Sequence, residues 1–95
     1  MDRIISYEMA ITHKEFFRLL PAATRNLSYR VVENIVDIKD GAGLITIELE
    51  NEARKNIASL SLPVTRLSIK FNGISDTDIN IFLQHFLLAF QKGGG

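Results

Sequence analysis

Residues 76–91 read DTDINIFLQHFLLAFQ, and the spacing of the apolar side chains in that stretch decides the fold. At about 100° per residue, Ile79, Phe82, Leu83, Phe86, Leu87 and Phe90 fall into one stripe roughly 140° wide. That is a helix with one face made for burial, and each of its three phenylalanines adds roughly a few kcal/mol once covered. Asp76 and Asp78 sit where the helix dipole favours negative charge, with Ser75 or Asp76 as the cap and Asn72-Gly73 as the turn before it. A face of this kind needs a second layer to lie against.

The preceding residues supply that layer. Ile45, Ile47 and Leu49 alternate with Thr46, Glu48 and Glu50, the period of a half-buried strand. Ile5, Tyr7, Met9 and Ile11 alternate with Ser6, Glu8 and Ala10 and predict a strand over about residues 2–11. Thr12-His13-Lys14-Glu15 has the form of a capping box, Thr12 as N-cap and Glu15 reaching back. Phe16, Leu19, Leu20 and Ala23 then predict a helix over about residues 13–24, kinked or ended by Pro21.

Two stretches switch parity. Leu27, Tyr29 and Val31 share one phase and Val32, Val36 and Ile38 the other, which predicts a strand over about residues 27–38 with a bulge at Glu33-Asn34. Residues 39–43, Lys-Asp-Gly-Ala-Gly, predict a hairpin connection, and the polar run 51–56 predicts a turn. Ile57 to Phe71 is extended but divided by Pro63. One long strand bent there suits a sheet edge, because proline cannot donate to a central ladder; a separate short hairpin is the competing reading. The expected fold class is α+β, a two-layer sandwich. It has an antiparallel sheet of about four strands with two helices on one face, in the order β-α-β-β-β-α. Residues 1–92 form its single domain and 93–95 a flexible glycine tail.

Composition narrows the function classes. Ninety-five residues leave no room for a second core, since domains cluster at about 100–150. Eleven Lys plus Arg balance eleven Asp plus Glu, which argues against a dedicated nucleic-acid or anionic-membrane surface. With no cysteine there is no disulfide scaffold, thiolate zinc site or cysteine nucleophile. The opening residues are broken by charge before any signal-like core, and the longest apolar stretch, near Phe86–Phe90, falls far short of a span. The expected setting is the cytoplasm, without a membrane.

Chemistry-bearing constellations are few. The sequence contains neither G-x-S-x-G nor G-x-x-x-x-G-K-[ST], and Gly41-x-Gly43 joins strands where a dinucleotide fingerprint opens a helix. His13 and His85 have no ligand spacing, so no catalytic residue, metal or cofactor is expected. Glu48 and Glu50 find cross-strand partners in Arg66 and Lys70, a solvated charge ladder. The outward sheet residues, Ser6, Glu8, Thr46, Glu48, Arg66, Ser68 and Lys70 among them, offer no aromatic platform for bases, while Tyr7, Tyr29 and Phe71 carry core parity. The helix–three-strand–helix order superficially resembles double-stranded RNA domains. Their second helix opens with a basic cluster, whereas this one opens Asp76-Thr77-Asp78.

Two features remain as candidates. Opposite the helical stripe lie Ile81 and Leu88, with Gln84 and His85 beside them. Scattered apolar side chains are ordinary on a surface; the functional alternative is a helix-centred surface for another protein or a second copy. The chain ends Gly93-Gly94-Gly95, which is explained plainly by fraying. Over those glycines alone it resembles ubiquitin-like and sulfur-carrier proteins, though their tail follows a strand of a β-grasp domain. That resemblance implies a carrier or conjugation substrate acting through its C-terminal Gly-Gly. The expected function is a non-enzymatic protein–protein interaction module, self-association included, with the carrier as the alternative. A small-ligand binder is a third class, unmarked by any convergent polar set.

Overall fold

The computed structural model describes residues 3–25 and 27–94, residues 92–94 for the backbone alone. The element order is β1 (Arg3–Met9), α1 (His13–Thr24), β2 (Tyr29–Val32), β3 (Ile35–Asp40), β4 (Gly43–Leu49), β5 (Ala53–Ile57), β6 (Leu60–Asn72) and α2 (Asp76–Gly94). The chain is α+β, with one antiparallel sheet and two helices. Six strands replace the expected four, and the order becomes β-α-β-β-β-β-β-α. Five strands lie in the order β1-β6-β4-β3-β2, and β5 pairs with β6 alone.

One extra strand comes from a hairpin that a parity switch concealed, the other from the polar run expected as a turn. Across β2 and β3, Tyr29 faces Ile38 and Val31 faces Val36. A two-residue loop pairs odd positions with even ones, so the change of phase at Glu33-Asn34 is a reversal of the chain and not a bulge. Glu33 takes φ 56° there, and Asn34 exchanges backbone and side-chain hydrogen bonds with Leu49 on β4. The polar stretch expected as a turn contains β5, which reverses through Ala58 (φ 55°) into β6. β6 is the long strand anticipated, but it runs between β1 and β4 and not along an edge. Pro63 is tolerated because it lies in the part of β6 that pairs only with β5, opposite Arg54. The molecule measures 47 × 23 × 21 Å, its long axis close to the ~44 Å of a 13-residue strand.

Register places Ile5, Ile69, Ile47 and Val36 in one row across the sheet, and Phe71, Ile45 and Ile38 in another. On this face lie Phe16, Leu20 and Ala23 of α1 and Ile79, Phe82, Phe86 and Phe90 of α2, buried in one cluster with the sheet. Rings stack in series, Phe16 on Phe90 at 5.0 Å and Phe82 on Phe86 at 5.3 Å, so the two helices share a single aromatic seam.

Helix ends are partly as anticipated. Thr12 Oγ1 accepts from the Glu15 N–H at 3.1 Å, but the Glu15 carboxylate does not complete the box; it turns to Arg18. α1 runs on through Pro21 to Thr24. Ser75 caps α2, its Oγ accepting from Asp78 N–H at 3.2 Å. α2 continues past the expected end at 91 to Gly94; Gly93 and Gly94 of the anticipated tail fall in it, and Gly95 lies outside the described residues.

Candidate interaction surface

α2 buries its phenylalanine stripe, and that burial turns Ile81 and Leu88 outward, 49% and 46% exposed. Gln84 is exposed beside them and His85 is half-buried. The four residues therefore share the outward side of α2, as their spacing predicts. His85 is tied down: its Nε2 accepts from the Arg25 guanidinium at 2.8 Å. Arg25 follows α1 with φ 57° and ψ −119°, a backbone state unusual for a residue with a side chain. Between the end of α1 and the start of α2 lies an open groove of 380 Å³, with Arg25, His85, Asp40 and Asp78 on its rim and Ile81 and Phe82 in its wall. One cationic residue, Arg25, and two acidic ones, Asp40 and Asp78, line it together, so it has no single sign of charge for a ligand to answer.

His13 lies at the other end of α1. Its Nε2–H donates to the Glu50 carbonyl at 2.8 Å, and its own backbone N–H donates to Glu52 Oε1 at 2.7 Å. α1 has 12 residues, about 18 Å of helix, so the two histidines stand at opposite ends of it. Among the described residues no group of three or more His, Cys, Asp or Glu is placed to hold a metal ion.

Of the expected charge ladder, Glu50 does lie across from Arg66, its N–H donating to the Arg66 carbonyl at 2.8 Å, but the ion pairs form elsewhere. Arg66 donates to Glu8 at 3.0 Å and Lys55 stands 3.6 Å from the same carboxylate. Thr46 lies opposite Lys70 and Ser68 opposite Glu48. The residues in β1 and β5 that take part could be assigned only once β6 was known to lie between β1 and β4. The hydrogen bond from Arg66, and next the charge of Lys55, hold the Glu8 carboxyl below the usual glutamate range. These groups rim a second groove of 380 Å³ with Arg54 and Val64.

Sequence reasoning missed a third surface. Tyr29 and Val31 carry core parity, yet they are 38% and 42% exposed and stand outside the core cluster. Reading β2 and β3 as one strand hid the fact that β2 is an edge. The phase change at Glu33-Asn34 carried the signal. Val32 and Ile35, on the opposite side of the sheet, are exposed as well, which makes the β2–β3 hairpin apolar on both sides.

No family model matches this sequence, and no curated protein matches it at a significant level. No helix among the described residues is long and apolar enough to cross a membrane.

Proposed function

We propose that this chain is a non-enzymatic cytoplasmic domain that holds another protein, or a second copy of itself. The outward side of α2 (Ile81, Gln84, His85, Leu88) and the β2 edge are its contact surfaces. One observation carries the reading. Large apolar side chains stand exposed on regular elements, Ile81 with Leu88 on α2 and Tyr29 with Val31, Val32 and Ile35 on the β2–β3 hairpin among them; Ile4, Leu44, Ile57 and Leu60 are exposed as well. Exposed apolar side chains gathered on ordered elements are the usual mark of a surface that meets another protein.

The test uses the purified chain as bait in extract of its native host, alongside Leu88→Asp, Ile81→Asp and Val31→Lys. At least one variant is expected to weaken retention of a partner, or self-association, about tenfold or more, the scale of a contact that matters. Circular dichroism confirms that each variant is folded. If all three leave capture and oligomeric state unchanged, the reading fails.

A further inference from the structure

The outer edge of β2 has backbone groups as well as apolar side chains to offer. Lys39 N–H donates to Ser28 C=O at 3.0 Å, and the β2–β3 register pairs Arg30 with Asp37 and Val32 with Ile35. In an antiparallel ladder the hydrogen-bonded pairs alternate with the others. Ser28, Arg30 and Val32 therefore turn their N–H and C=O groups to β3, and Tyr29 and Val31 turn theirs to the free edge. A helix or a folded loop cannot satisfy that row; an extended strand can.

We infer that the strand is β2 of a second copy, antiparallel about a two-fold axis at Val31, which joins two sheets into one. This rests on the protein-binding reading above and names its partner. With the axis at Val31, the two Val31 residues exchange both N–H···O=C bonds, Arg30 faces Val32 of the partner copy, and Tyr29 comes alongside its Glu33 turn. The neighbouring register sets Arg30 against Arg30, and like charges directly opposite are unfavourable. A two-fold normal to the sheet keeps Tyr29 and Val31 of both copies on the helix side, and Val32 of both on the open side. The two Val31 side chains thus meet directly on the helix side, and on the open side each Val32 has the partner's Val32 as its diagonal neighbour. The net charge of zero removes long-range repulsion between copies. β1, the edge at the other end of the five-strand order, carries charge on both sides of its exposed Ile4: Glu8 is held by Arg66 and Lys55, and Arg3 stands 3.9 Å from Asp76. β5, paired with β6 alone, presents a further free edge. With only four residues in β2, the dimer is weak, with a dissociation constant of roughly 10–100 µM.

Sedimentation equilibrium of the full chain, followed over about a hundredfold range of concentration, is expected to show a reversible dimer. Val31→Lys places a charge on the axis and is expected to raise the dissociation constant about tenfold or more, with Leu88→Asp unchanged. Amide exchange of the unaltered protein reads the same contact without a substitution: the Tyr29 and Val31 amides gain protection as concentration rises. A chain that is monomeric throughout overturns the inference. So does a dimer that survives Val31→Lys, or one whose Tyr29 and Val31 amides show no concentration dependence. A dimer lost in Leu88→Asp alone overturns it too, while leaving the wider binding reading intact.

Discussion

At the scale of single residues, Gly43 is a position with no room for a side chain. A Cβ built there would stand 2.5 Å from Ile74 Cγ1 and 2.8 Å from the Gly73 carbonyl. The first residue of β4 therefore fixes how closely the chain can turn from β6 into α2. A flexible side-chain tip could move aside, but the Gly73 carbonyl is backbone and cannot yield cheaply. Gly43→Ala is expected to destabilise the protein by about 2–3 kcal/mol in urea unfolding. The same substitution at Gly41 meets no atom within 4 Å and is strained only through its φ of +62°. Glu8 shows the other side of residue-scale control, since its lowered carboxyl pKa comes from Arg66 and Lys55. The sign is that of a depressed acid: the stabilisation is present above the unfolded carboxylate range and is lost as pH falls through the folded value.

At the scale of elements, the phenylalanine seam joins α1 to α2. Phe86 is fully buried, 4.8 Å from Phe90, 5.3 Å from Phe82 and 6.4 Å from Phe16 between ring centroids. Truncation removes ring contacts on both helices at once. Phe86→Ala is expected to cost about 3–5 kcal/mol, read as a shift in the urea midpoint. This seam was legible in the spacing of Ile79 to Phe90, because a helical stripe is a local property of about three turns. The hairpins were not legible in the same way. A strand that changes phase at Glu33 is locally identical whether it bulges or reverses, and only the pairing of Val31 with Val36 distinguishes the two. Neither reversal uses glycine at its positive-φ position, which is Glu33 in one and Ala58 in the other, so the strongest turn signal was missing from both.

At the scale of the whole molecule, the long axis is set by β6 and its antiparallel partners. Its first half pairs only with β5, every residue of which is exposed. Its second half lies between β1 and β4, over the core. A two-stranded ribbon by itself is marginal in water. Native-state hydrogen exchange is therefore expected to show Lys55 and Ile57 amides opening at much lower free energy than Ile47 and Ile69, in separate cooperative units. Equal protection throughout would mean that the ribbon is held by contacts beyond β5 and β6.

The sequence by itself determined which residues are inside: the faces of α2, β4 and β1 follow from periods of 3.6 and 2, which neighbouring residues enforce through sterics alone. It also placed Ile81, Gln84, His85 and Leu88 together on the outward side of α2, because a buried stripe defines its own opposite. Only the tertiary structure decided that β6 lies between β1 and β4, that Arg66 meets Glu8, and that Tyr29 and Val31 stand at an uncovered edge. Those facts depend on strand order. Strand order is set by pairing between residues far apart in the chain, and a local hydrophobic period is the same at the centre of a sheet and at its rim.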